Sequence, residues 1–112
     1  MKTSELTGAA LDWAVAKCEG LENENGWTDV EIFKAARAGG GYRHSANWAQ
    51  AGAIIEREEI SIESGVEWTA YCWIDKKDEQ AYGNGKTPLE AAMRCYVASK
   101  LGDEVDVPEE LT

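Results

Sequence analysis

Apolar residues between Thr87 and Gly102 recur at three- and four-residue steps. Leu89, Ala92, Met93, Tyr96, Val97 and Leu101 fall on one stripe, the spacing of an amphipathic helix. Thr87 suits the N-cap, Pro88 the first helical position, and Glu90 completes a Thr-x-x-Glu capping box. Lys100 complements the dipole in the last turn, and Gly102 stops the helix. A helix is therefore predicted over 87–101, and its stripe must lie on something apolar. A second helix is predicted from near Thr7 to Gly20, with Leu6 and Leu11 at staple positions. Its face carries Leu11, Ala14, Val15 and Cys18; Trp13 lies off that face, as a second contact or partly exposed. Trp68, Ala70, Cys72 and Ile74 alternate with Thr69, Tyr71 and Trp73, which predicts a strand with content on both faces. Ile60 and Ile62 flank Ser61 as a short strand, and Gly65 marks the turn of an antiparallel hairpin.

Between these elements the pattern is less decisive. Residues 20–26, GLENENG, read as a loop. In the stretch 27–41, Val30 and Ile32 alternate with polar residues as in a strand. Thr28 and Glu31 form a second capping box, with Trp27 and Ile32 as its staple and Gly39 as its end, so the reading taken is a short helix. Residues 48–57, WAQAGAIIER, admit a helix that Gly52 weakens. The segment DKKDEQAYGNGK reads as a long polar turn before the last helix. Together these make an α+β fold, with helices packed on a short antiparallel sheet in an arrangement like an α-β-α sandwich. The 87–101 helix is expected to set Leu89, Met93, Tyr96 and Val97 against the sheet face bearing Trp68, Ala70 and Cys72. A chain of 112 residues is read as a single domain, 1–112, with an acidic, mobile tail at 103–112.

Charge narrows the function classes. The formal net charge is -10, from 11 Lys and Arg against 21 Asp and Glu. That disfavours direct nucleic-acid binding, which needs cations against phosphate, and attraction to an anionic membrane surface. No apolar run approaches the roughly 20 residues of a membrane span. Cys18, Cys72 and Cys95 are odd in number and form no Cys-x-x-Cys, so no disulfide framework is expected and a reducing cytosol is.

The charge is also uneven. No acidic residue occurs from Ile32 to Ile55, where Lys34, Arg37, Tyr42, Arg43, the sole histidine His44, and Trp48 cluster around three consecutive glycines. Cations and glycine N–H groups suit an anion, and Tyr42 or Trp48 could stack on a base. The bland alternative is a mobile linker with incidental charge, and neither the Walker nor the dinucleotide glycine spacing is present. His44 with a cysteine lacks a third orienting group, so no catalytic residue is assigned. Dispersed Cys and one His show no metal-ligand spacing, and Glu56, Glu58, Glu59, Glu63 and Glu67 read as a solvated face. No enzyme activity, metal or cofactor is expected.

The stretches TSELTGAALDWAVAKCEG, NWAQAGAIIERE and TPLEAAMRCYVASKLGDEVDVPEEL resemble the NinX-like family of small phage and prophage proteins, also described as a phage ABA sandwich domain. The chain has Ala51, Gly52 and Ala53 where that family's middle motif carries Gly-Gly-Pro. The resemblance implies an accessory protein made in the cytoplasm of an infected or lysogenic bacterium, outside the virion, and transfers no catalytic role. Two mechanisms remain open. In the first, the 34–48 stretch holds a small anionic ligand, such as a nucleotide signal of bacterial immunity. In the second, the acidic surface and tail inhibit a basic host protein or mimic nucleic acid. A homo-oligomer is expected to cover a small sheet rich in aromatics.

Overall fold

The computed structural model describes residues 1–21, 26–74 and 79–112. Its elements run α1 (Gly8–Cys18), α2 (Asp29–Ala38), α3 (Trp48–Arg57), β1 (Ser61–Glu63), β2 (Trp68–Trp73), β3 (Gln80–Gly85) and α4 (Pro88–Leu101), with 3-10 turns at Thr3–Glu5 and Glu109–Leu111. The strands form one antiparallel sheet in the order β1-β2-β3, with Ile62 opposite Ala70 and Ala70 opposite Gly83. The fold is α+β.

Local chemistry sets the helix starts. Thr28 Oγ1 accepts from the Glu31 N–H and the Glu31 carboxylate accepts from the Thr28 N–H, so the capping box at α2 is complete. This decides the ambiguous 27–41 stretch for helix. Asn47 caps α3 by accepting from the Gln50 N–H. Thr87 caps α4 through the Glu90 N–H, but the Glu90 side chain does not close a box. It accepts instead from the Lys86 N–H and the Thr7 hydroxyl, which ties the helix start to the beginning of α1.

β3 corrects the sequence reading, which placed residues 80–85 in a polar turn. QAYGNG lacks β-branched residues and carries two glycines, so strand propensity argues against it. The reason it is a strand lies in α4. A Cβ built on Gly83 would fall on the Ala91 carbonyl oxygen and the Cys95 backbone nitrogen, and one on Gly85 would stand 2.8 Å from the Ala91 nitrogen. Helix and strand meet backbone to backbone there, and only glycine leaves room. Ala81, Gly83 and Gly85 form the small, buried face of β3 beneath α4. The 75–78 part of the expected turn and the 22–25 part of the GLENENG loop lie outside the described residues.

α4 is the central layer. The sheet lies on one side and α1 and α3 on the other, and Leu89, Ala91, Ala92, Met93, Cys95, Tyr96, Val97 and Ser99 are all buried. Ala91 and Cys95 make the closest approach to the sheet, with the Cys95 thiol 3.3 Å from Cys72 Sγ and 3.5 Å from the Ala81 carbonyl oxygen, two acceptors for its one S–H. Tyr96 faces the other way: its hydroxyl donates to Glu19 at the end of α1 and accepts from Arg57 at the end of α3. Of the expected stripe, Leu89, Ala92, Met93, Tyr96 and Val97 are buried and Leu101 is exposed; the residues that meet the sheet most closely, Ala91 and Cys95, lie outside it, and Tyr96 turns away from the sheet. Cys18, Cys72 and Cys95 are free thiols.

α1 is buried on two sides as well. Leu11, Ala14 and Val15 join the main core, while Trp13 and Ala16 build a second cluster with Leu21 and Phe33 of α2. Trp13 meets the Phe33 ring edge to face at 5.6 Å, so its position off the first stripe marks the seat of α2. The tail runs along the body. Met1 and Val105 exchange backbone hydrogen bonds of 2.9 Å, the Thr3 N–H donates to the Asp103 carbonyl, and Val107 and Leu111 pack on the second cluster.

Two glycine substitutions separate close packing from helix propensity. Gly83→Ala forces a methyl into backbone atoms that cannot swing aside and is expected to cost about 3 kcal/mol or more. Gly52→Ala, in α3 with nothing within 4 Å of the added carbon, is expected to stabilise by about 0.5–1 kcal/mol. Urea midpoints of the two variants should move in opposite directions; an unchanged Gly83→Ala midpoint would contradict the packing.

Candidate functional site

α1 carries one charged residue between Gly8 and Ala16, and that residue is the pivot of the region. Asp12 is 1% exposed. Its Oδ2 accepts from Arg37 Nη2 of α2 at 2.9 Å and its Oδ1 from the Ser45 N–H at 2.8 Å. A carboxylate this deeply buried requires such partners. It therefore fixes both the end of α2 and the segment that follows.

That segment, residues 39–47, is held at several points. The Gly41 N–H donates to the Ala36 carbonyl at 2.9 Å. The Gln50 side chain clamps the turn from α3: its amide donates to the Gly40 carbonyl at 2.7 Å and its carbonyl accepts from the Arg43 N–H at 2.6 Å. Gly40 has φ +96° and supplies the left-handed turn. Tyr42 takes φ 48°, unusual for a large residue, while its ring packs 5.7 Å from Phe33 and 6.3 Å from His44. These bonds hold the 39–47 backbone in one arrangement.

Three of the six residues singled out in the sequence meet at one place. Lys34, Arg37 and Arg43 line a recess of about 220 Å³ with Phe33 at its side and Leu111 of the tail at its rim. Each cation already has a contact there: Lys34 Nζ with Glu110 at 2.8 Å, Arg37 with Asp12, and Arg43 Nη2 with the Arg37 carbonyl at 2.9 Å. Tyr42 joins the aromatic run Phe33–Tyr42–His44 instead of lining the recess. Trp48 begins α3, 56% exposed, and also lies outside it.

His44 is half buried. Burial, the main cause, holds its imidazole below the ordinary 6.5, with Asp12 and Glu19 opposing. Nδ1 of His44, Nε of Arg37 and Nε1 of Trp13 are buried without a hydrogen-bond partner among the described residues. The Arg and Trp atoms are obligate donors, so this region keeps unused donor capacity.

Asp12 and Gln50 were not among the residues marked in the sequence. The signal for Asp12 was a lone carboxylate in an apolar helical run; nothing in the sequence marks Gln50. A second polar node joins the ends of α1 and α3 to Tyr96 of α4. Glu19 accepts from Arg57 Nη2 at 2.7 Å and from the Tyr96 hydroxyl, and Arg57 also pairs with Glu58. Burial alone would raise the Glu19 carboxyl; the hydrogen bonds from Arg57 and Tyr96 bring it below the usual 4.5. No group of three or more His, Cys, Asp or Glu able to hold a metal occurs among the described residues, and no described helix is long and apolar enough to cross a membrane.

The family model described as Bacteriophage P22, NinX matches residues 2–100. The chain belongs to the phage NinX family. The match to the NinX model encloses α1 to α3, the sheet, nearly all of α4 and all three recess cations, and it stops before Glu110 and Leu111. No curated protein matches the chain. The NinX membership makes it a phage accessory protein.

The His44 environment sets a pH dependence. A histidine whose folded value lies below its unfolded one binds fewer protons when folded, so its stabilising contribution is present above about pH 6.5 and is lost as pH falls through the folded value. Glu19 and Glu58 act in the same direction, but only below about 4.5. Melting temperature should therefore fall between about pH 7.5 and 5.5, and His44→Gln should flatten that slope. Equal slopes in both proteins would rule out this origin.

Proposed function

We propose that this phage accessory protein is a non-catalytic binding protein that holds a small anionic ligand of the infected cell, and that it acts against host defence by sequestering it. The observation carrying this reading is that Lys34, Arg37 and Arg43 converge on one recess in a chain of net charge -10. A recess of about 220 Å³ is smaller than the usual pocket for a whole drug-sized molecule. It suits one phosphoryl group of a nucleotide-type ligand, with the remainder lying over the rim. Arg37, which lines the recess, keeps an Nε–H without a partner among the described residues, in keeping with an incoming acceptor.

The three cations have different parts in this reading. Arg37 is already committed to Asp12, and removing it would strand a buried carboxylate at a cost of about 3–5 kcal/mol. It shapes the recess. Lys34 pairs with Glu110 on an exposed surface, a contact worth at most about 1 kcal/mol, so an anion can replace that carboxylate. Arg43 is exposed, and among the described residues its guanidinium is anchored only through a backbone carbonyl. Arg43 is the residue that meets the ligand, and Lys34 assists.

Amide NMR titration with inorganic pyrophosphate tests this. The expected result is a saturable shift of amides in 39–47. Arg43→Ala should weaken binding by about tenfold or more while leaving the melting temperature unchanged. Still amides throughout, or an Arg43→Ala protein that binds as the wild type does, would sink the proposal.

A further inference from the structure

The sheet has a second face. Strand alternation sends Ala70, Cys72, Ala81 and Gly83 toward α4 and sends Thr69, Tyr71, Trp73, Gln80, Tyr82 and Asn84 to the opposite side. No described element packs there. Tyr82 is 60% and Trp73 56% exposed, and Val66, in the β1–β2 loop, is fully exposed. Contiguous exposed apolar surface marks interaction sites, and aromatic residues are enriched in them.

The rings are set in place before any partner arrives. Tyr71 and Tyr82 are directly opposite one another, with centroids 6.5 Å apart and planes 42° apart. The Tyr71 hydroxyl donates to Glu63 of β1 at 3.0 Å, and the Tyr82 hydroxyl to Gln80 at 2.9 Å. Preorganised rings lose little entropy on binding.

Charge identifies the occupant. Beside the Tyr71–Tyr82 pair, the Thr69–Asn84 pair opens into a recess of about 500 Å³ lined by Glu63 and Glu67, with no cation in its lining among the described residues. A nucleic acid would bring phosphates against Glu63 and Glu67. A second copy would bring the same carboxylates and another net charge of -10. A basic protein segment meets complementary charge at the recess and π faces beside it.

We propose that this open sheet face docks an arginine-bearing basic segment of a partner protein. A guanidinium lies over the Tyr71–Tyr82 rings and pairs with Glu63, which has acceptor capacity beyond the Tyr71 hydroxyl. The next basic side chain along the segment enters the recess toward Glu67. Arginine fits better than lysine because a planar fork both stacks and binds a carboxylate with two hydrogen bonds. This docking is independent of the Lys34–Arg37–Arg43 recess.

Fluorescence anisotropy at about 0.15 M salt, with a labelled peptide alternating glycine and arginine and its lysine counterpart, tests the docking. The arginine peptide should bind more tightly. Tyr82→Ser and Glu63→Gln should each weaken it about three- to tenfold with the melting temperature retained; Glu63→Gln keeps an acceptor for the Tyr71 hydroxyl. A protein carrying Glu56→Gln and Asp106→Asn, exposed acids off the sheet, should bind as the wild type does. Absent arginine-peptide binding, equal affinity for both peptides, or an equal loss in the control protein would overturn the proposal. So would self-association or oligothymidylate binding that Tyr82→Ser abolishes, since either assigns the face to another occupant.

Discussion

The backbone of α4 rests on the backbone of β3, and the rest of the chain is arranged around that approach. At Gly83 the neighbouring groups are the Ala91 carbonyl and the Cys95 nitrogen; at Gly85 they are the Ala91 nitrogen and the Glu90 side chain. At Gly83 no side chain separates the two elements. Such packing removes a whole layer of side-chain thickness and requires glycine on the strand, at the cost of weak intrinsic strand propensity. The helix supplies what the strand lacks. Its sheet side is small, Ala91 and Cys95, so it can sit low, and its other side is free to carry Tyr96 toward α1 and α3.

With α4 buried from both sides, α1 becomes a bridge between two clusters. One side of it meets α4; the other holds Trp13 against Phe33. Asp12 lies in the same helix and fixes Arg37 and Ser45, so the shape of the recess is inherited from α1. The recess and the aromatic sheet face thus lie off the central layer, on opposite sides of the molecule's packing scheme. The first has cations in an acidic chain; the second has carboxylates beside exposed rings.

The legible parts of the fold were those where one local rule sufficed. Apolar spacing located α1, whose Thr7 makes no capping hydrogen bond; the Thr87 cap and apolar spacing located α4, a complete capping box resolved α2, and strict alternation gave β2 with β1 beside it. β3 was illegible because its glycines answer to the helix above it, and no property of QAYGNG within the strand announces that helix. In the site, Lys34, Arg37 and Arg43 stood out through an acid-free stretch, and they share a recess. That Arg37 is tied up by a buried Asp12 required knowing which face of α1 meets α2. Tyr42 and Trp48 carried the right chemistry in sequence, but Tyr42 packs against Phe33 and His44 and Trp48 projects from the start of α3. The family match confirms the phage lineage that the terminal and middle stretches resembled.

Native-state hydrogen exchange tests the central claim most directly, because it ranks segments by the free energy needed to open them. If the α4–β3 approach organises the molecule, the amides of β2, β3 and α4 exchange only through global unfolding, at one common free energy. Amides of α2 and 39–47 then exchange through smaller openings. Slow exchange in α1 and α2, with β3 opening separately and early, would contradict the account.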